Sequence, residues 1–357
     1  MKRIKLKNDY ATFILLGNDC YLKDGFSFGI LKITEIQPLI VLENKFRCEK
    51  VDSHYIYIED IYKEVNYLFD TKSYSFINGI DNRYMLIRDT NSVLILHNRS
   101  FPETICYDLT KKKLLWKKDF YISFFSFGDF LFDIDKESLS CYDPTNGNSC
   151  WQFTLNEERK YNQGEHKALA NNAIERIIGL FENTLWVVTN LGHLLGISVE
   201  TGVKVYHLTT PINIPAEWGN WEIFIQAQRS TIDYQKGVIF GIDNNIYWEC
   251  DLNNPEETYL YYDILATCEK HQIKATLAGY LPVWYDDEIF FGQQEWAKDS
   301  SFVGIFNRKT REITWTSREI SSDLFKGLNK IDFANNKLYV LDREGTLTIL
   351  SKFHLEA

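Results

Sequence analysis

The chain has 357 residues, 45% of them hydrophobic and 15% aromatic, which is enough for a large packed core and too much for a disordered chain. Its 39 basic and 49 acidic residues leave a formal charge of −10, which argues against a general affinity for phosphate backbones or anionic membranes. Neither nucleic acid nor a membrane is expected as a partner, and no apolar run approaches the ~20 residues that a spanning helix requires.

The opening, Met1 to Lys7, is basic, but the apolar stretch 11–17 behind it is short and stops at Asn18-Asp19. No export signal is read there, so a cytoplasmic location is expected. Residues 3–6 or 12–16 read as an N-terminal strand. A blade-like group follows at 47–78, with "HYIYIED" and "VNYLFD" as its strands.

Beyond residue 80 the chain repeats one local unit, in which a polar residue closes one strand and an aromatic stands eight positions later in the next. The pairs are Asp108 and Trp116, Asp143 and Trp151, Ser198 and Tyr206, Asp251 and Tyr259, and Asn307 and Trp315. Asp, Asn or Ser bonds the backbone of the turn that follows, and the aromatic returns to the core. Apolar hairpins precede several copies, as in "FLFDIDKESLSCYD" (130–143), "TLWVVTNLGHLLGI" (184–197) and "KLYVLDREGTLTIL" (337–350). The anchors fall 35, 55, 53 and 56 residues apart, the spacing of four-stranded units with insertions. The expected fold is all-β, one β-propeller domain over 1–357 with about seven four-stranded blades, six or eight being the alternatives. An N-terminal strand is expected to complete the last, three-stranded blade and so remove an exposed edge. Residues 20–46 fit the count of seven least well.

The pattern of apolar strand, D/N-x-x-T-G-like turn and terminal aromatic, in "YDPTNGNSCW", "SVETGVKVY" and "FNRKTREITW", resembles the repeats of PQQ-like, quinoprotein-type β-propellers. The resemblance is clear over 80–357 and weaker before it. It implies a fold and not a chemistry, because such propellers also serve as scaffolds and binding platforms. Enzymatic members of that family carry a vicinal disulfide beside the quinone, and a calcium ion on acidic and amide side chains. This chain has no adjacent cysteines, so no cofactor and no metal is expected.

Seven scattered cysteines with no CxxC pair read as reduced thiols. Cys141 and Cys150 flank one hairpin, and are read as two buried thiols. The seven histidines show no metal spacing and read as isolated turn or strand residues. The polar segment 156–172 reads as a solvated connector, with a short helix or a flap as the alternative. Recognition is expected on two insertions, "PINIPAEWGNWEIF" (211–224) with Trp218 and Trp221, and "GQQEWAKDSS" (292–301) with Glu295 and Trp296. Asp286 and Asp287 join them as candidate binding residues, although a solvated hairpin turn is the simpler reading of that acidic group.

The resulting expectation is a non-catalytic intracellular propeller, not an enzyme, that binds a protein partner. An immunity protein neutralising a basic toxin fits the acidic charge. The alternative is an enzyme, or a carbohydrate- or small-ligand-binding propeller, that uses the central channel.

Overall fold

The computed structural model describes the strands before residue 101 and most of the chain from 101 to 351, the longest connections outside that description being 33–40, 224–229 and 274–282. The described residues form eight four-stranded antiparallel sheets and two separate hairpins. In chain order the sheets, I to VIII, span 12–43, 46–77, 84–118, 124–154, 174–208, 230–263, 283–316 and 328–351. Each is a meander of sequential neighbours. In sheet VIII the fourth strand is Lys2–Lys5 from the other end of the chain, with Ile4 opposite Leu347. The pairing is made by the first of the two candidate N-terminal strands, and the second, Thr12–Leu16, opens sheet I.

Eight sheets are one more than the seven counted from the sequence. The addition is sheet I, which covers the 20–46 stretch that suited the count least. Its outer strand is only Val41–Glu43, with no turn and aromatic pair of the repeating kind to betray it.

The chain divides into two compact units, Met1–Met85 with Asp263–Ala357, and Leu86–Tyr262. In the second unit the sheets stack face to face, and the alternation of a strand's side chains shows why. The strand Thr184–Thr189 is buried along nearly its whole length. Leu185 and Val187 pack with Phe132, Leu139 and Cys141 of sheet IV. Trp186 and Val188 pack on the opposite face with Ile239 and Trp248 of sheet VI. A sheet covered on both faces needs a near-continuous apolar run in place of alternation, and "TLWVVT" supplies one. In the other unit, sheets VII and VIII share a core of Phe290, Val303, Trp315, Phe325, Leu338 and Val340.

The repeating turn has the geometry its sequence demands. Asp108, Asp143, Asp251 and Asn307 each accept, through Oδ1, a backbone N–H two or three residues on. Asp143, Ser198 and Asn307 also accept, at their carbonyls, the N–H four residues on, at 2.7 to 2.8 Å. That fourth residue has a positive φ: Gly147 at 70°, Gly202 at 71° and Arg311 at 60°. A bulge then recurs in the strand that follows, leaving Leu115, Cys150, Val205 and Thr314 without partners immediately before Trp116, Trp151, Tyr206 and Trp315. The extra residue twists the strand locally and re-aims its neighbour.

Two of the re-aimed indoles join one sheet to the next. Trp116 of sheet III donates its indole N–H to the Pro144 carbonyl of sheet IV at 2.7 Å, and Trp151 of sheet IV donates to the Val199 carbonyl of sheet V at 2.6 Å. Each ring lies over the positive-φ glycine of the turn it meets, Gly147 or Gly202. Tyr206 is used differently: Trp186, Gly196 and Tyr206 lie in register across three strands. The missing side chain at Gly196 lets the two rings stack at 5.5 Å.

Candidate functional site

Strand direction alternates in a meander, so the entry to the first strand, the turn between second and third, and the exit from the fourth lie at one end of a sheet. The repeating Asx turns lie at the other. In sheet V the first of these ends holds Asn172, the turn 190–193 and the end of the strand Lys204–Leu208. Both separate hairpins, Glu158–Gln163 with His166–Asn171 and Ile212–Ala216 with Gly219–Ile223, occupy connections at this end of the unit's sheets.

The turn holds His193 in place through its backbone. The N–H of His193 donates to Thr189 Oγ1 at 3.2 Å, the N–H of Thr189 donates to the His193 carbonyl at 3.0 Å, and Gly192 turns the chain at φ +75°. Asn190 ties the turn to the incoming chain by accepting from the N–H of Ala173, while its own N–H donates to the Ala173 carbonyl. His193 is 4% exposed and Asn172 1%. Across the ladder Leu195 faces His207, which brings the two imidazoles together although 14 residues separate them.

His207 Nε2 lies 3.0 Å from His193 Nδ1, and Lys204 Nζ lies 3.4 Å from His207 Nδ1. Asn172 Nδ2 lies 3.3 Å from His193 Nδ1. Lysine and the amide nitrogen only donate, so one set of tautomers accommodates the contacts, with the single lone pair of His193 Nδ1 shared between His207 and Asn172. His207 accepts at Nδ1 and donates from Nε2–H, and His193 accepts at Nδ1 and keeps its proton on Nε2. The row runs from buried Asn172 and His193 to exposed His207. Asn172 Oδ1 is buried without a hydrogen-bond partner. Nearby in chain position, Arg176 on the first strand of sheet V donates from Nη2 to the Ser230 carbonyl, at the start of the first strand of sheet VI, at 2.9 Å. Burial lowers the affinity of this guanidinium for its proton, and Glu175 opposes the effect.

The histidines were expected to be isolated, and this pair corrects that reading. Spacing rules for metal sites look along the chain, whereas His193 and His207 meet across a ladder. Counting outward from the 199–203 turn of "TNLGHLLGISVETGVKVYHL" places them at the same end of one hairpin, and that is the signal by which the sequence would have revealed them.

Of the residues expected to bind a partner, Asp286 and Asp287 lie at the opposite end of a strand from Glu295. Trp218 and Trp296 lie outside the described residues. Trp221 stands opposite Ile214 in the second separate hairpin, and Glu295 stands opposite Ser300 at the end of its strand. Asp286 and Asp287 form the turn at the opposite end of that strand, Glu288–Glu295, about 24 Å away at ~3.4 Å per residue. Arg308 and Lys309 hold this turn. The Arg308 N–H donates to the Asp287 carbonyl at 2.7 Å, and its guanidinium to that of Asp286 at 3.3 Å. Lys309 pairs with the Asp287 carboxylate at 2.6 Å. The segment 156–172 is no helix: Glu158 to Asn171 is a hairpin with Gln163 opposite His166.

No known sequence family matches the chain, and no curated protein is similar to it in sequence. Solved structures share its fold. A computationally designed protein, Ika8, superposes with a TM-score of 0.60 at 8% identity, over 98% of each chain. The dihydro-heme d1 dehydrogenase NirN gives 0.60 at 12% identity, over 98% of this chain and 72% of its own. The quinohemoprotein alcohol dehydrogenase ADHIIG from Pseudomonas putida HK5 gives 0.52 at 12%, over 95% and 70%. The chain therefore shares with these structures an all-β fold built of antiparallel sheets that resemble propeller blades.

These dehydrogenases correct the expectation of a non-catalytic, partner-binding chain, immunity protein included, and the expectation that the chain is not an enzyme. Both of them carry this fold as enzymes. The designed protein shows that the fold also stands without a natural function, so chemistry has to be argued from side chains. Among the described residues no group of three or more His, Cys, Asp or Glu is placed to hold a metal ion. Nor does the sequence supply adjacent cysteines beside a quinone. The described residues do not fit that cofactor.

Proposed function

We propose that the eight sheets are the blades of one propeller, and that the protein is an enzyme acting on a small polar ligand at the end of sheet V that carries His193 and His207. The observation that carries this reading is the 3.0 Å contact between the two imidazoles, within a row that reaches from the buried Asn172 amide to the exposed ring of His207. Histidine is the side chain whose ordinary titration lies nearest neutrality, and it serves as general acid or base for that reason. A proton taken up at His207 is shared with His193 across the contact, and the amide of Asn172 fixes the inner ring. Lys204, and Arg176 on the first strand, add positive charge at this end of an otherwise acidic protein, which suits a ligand bearing a carboxylate or an electron-rich oxygen. The two hairpin insertions at the same end of the unit's sheets support the reading, since recognition on rigid all-β scaffolds is placed on such connections. Paired imidazoles transfer protons, so an acid–base reaction on such a ligand is the first reaction class to test.

The test is a thermal-shift panel of alcohols, sugars and small hydroxy acids, followed by nuclear magnetic resonance of each compound that binds to detect its conversion. The wild type is compared with His193→Gln and His207→Gln. A compound that raises Tm for the wild type and not for His207→Gln is the expected result. If every stabilising compound acts equally on both variants, or none stabilises the wild type, the site is assigned wrongly.

A further inference from the structure

Cys141 and Cys150 were expected to be two buried thiols, and the structure separates them. Cys141 is fully buried and Cys150 is exposed. They belong to the hairpin Ser138–Tyr142 and Ser149–Thr154, where Cys141 faces Trp151 and the register slips between Cys141 and Tyr142. Cys150 is thus the extra residue of the bulge. In a bulge two residues of one strand oppose a single residue of the other, so Cys150 and Trp151 together face Cys141. The bulge thus sets the two cysteines against each other across one hairpin. The same bulge position holds Leu115, Val205 and Thr314 in sheets III, V and VII. Three further cysteines are buried: Cys106 donates to the Pro144 carbonyl and Cys250 to that of Pro255, at 3.7 and 3.6 Å, and Cys268 lies in a helix.

We propose that Cys141 and Cys150 form a peroxide-sensitive dithiol, with Cys150 the thiol that is oxidised first and Cys141 the thiol that resolves it into a disulfide. Exposure and ionisation govern which sulfur reacts first. Burial, reinforced by Cys150 and Asp143, pushes the Cys141 thiol up to about 12. The exposed Cys150 thiolate attacks one oxygen of hydrogen peroxide. The O–O bond breaks and the departing hydroxide collects the thiol's proton, leaving a sulfenic acid and one water. Cys141 Sγ then attacks Cys150 Sγ and the S–O bond breaks. The hydroxide leaves with the Cys141 proton as a second water. The two thiols have lost the two electrons that the peroxide gained. The link would form beside Trp151, the anchor between sheets IV and V, so the pair places a redox-sensitive element at a joint of the fold.

The test is peroxide treatment of the full chain, alkylation of remaining thiols, and peptide mapping by mass spectrometry. Wild type is expected to yield a linked pair of peptides carrying Cys141 and Cys150, reversed by dithiothreitol. The Cys141→Ser variant is expected to leave Cys150 as sulfenic acid, trapped by dimedone, that proceeds to the sulfinic and sulfonic acids. The Cys150→Ser variant is expected to leave Cys141 reduced and alkylated only after unfolding. Circular dichroism checks that each variant folds. Over-oxidation of Cys150 in the wild type with Cys141 still free, or oxidation of Cys141 in the Cys150→Ser variant at the wild-type rate, would overturn the proposal.

Discussion

Replacing Gly202 by alanine tests the joint between sheets IV and V. Gly202 sits at φ +71°, and a Cβ built there would lie 2.7 Å from Cδ2 and Cε3 of Trp151 and 3.0 Å from its Cγ. The left-handed backbone costs an L-residue about 1 to 2 kcal/mol. Carbon atoms pack comfortably at ~3.5–4.0 Å, so the ring must shift by most of an ångström, and overpacking of this kind costs about 1–3 kcal/mol. Shifting the ring also strains the 2.6 Å bond from its N–H to the Val199 carbonyl. The combined loss is about 2–5 kcal/mol, a large share of the ~5–15 kcal/mol that holds a domain together. Urea unfolding followed by far-ultraviolet circular dichroism measures the loss. Repeating the substitution in a Trp151→Leu background isolates its origin, because the smaller side chain relieves the clash and leaves the backbone cost of about 1 to 2 kcal/mol. A cost of Gly202→Ala below about 0.5 kcal/mol, or one of equal size in both backgrounds, would refute the reasoning.

Three further outcomes follow from the same joints and turns. Trp116→Phe removes the indole donor to the Pro144 carbonyl and leaves it only the Cys106 thiol, and is expected to cost about 0.5–1.5 kcal/mol in urea unfolding; a loss within experimental error would show that the bond contributes nothing. Gly304→Ala drives a Cβ into the Phe291 ring and is expected to lower Tm, with Phe291→Leu restoring part of the loss; no recovery in the double variant would contradict this. Asp143 accepts from the Thr145 hydroxyl and N–H and from the Asn146 amide, which hold its carboxyl below the ordinary 3.8. A lowered folded-state value stabilises above 3.8 and ceases to do so as pH falls through the folded-state value. Asp143→Ala is therefore expected to be less stable than wild type at neutral pH, the gap closing below pH 3.8, and a gap that persists there would place its cause outside the carboxylate.

The parts of the fold that sequence reveals are those whose cause is local. An Asx side chain bonds the turn beside it, so Asp143 and Asn307 announce their hairpins, and Trp116 and Trp151 follow at a fixed distance because the turn and its bulge have fixed length. Sheet I has no such pair, and its boundaries were lost for that reason. The hairpin Glu158 to Asn171 was missed because "NEERKYNQGEHKALANN" is polar and carries no strong β-branched run, and pairing overrode propensity. The insertion holding Trp221 read as a loop because Pro215 and Gly219 interrupt it, yet both stand within strands of a separate hairpin, where a missing donor or side chain is tolerated. The candidate site is non-local in the strongest sense. Neither His193 nor His207 belongs to a motif, and only the register that sets Leu195 against His207 brings the rings to 3.0 Å.

The most direct measurement is a crystal structure of the protein soaked with the compound that raises its Tm most. The expected result is that compound against the exposed ring of His207 and the ammonium of Lys204, with the imidazole pair intact behind it. A ligand bound away from Asn172, His193, His207 and Lys204, while His207→Gln still binds it with wild-type affinity, would contradict the assignment of the site.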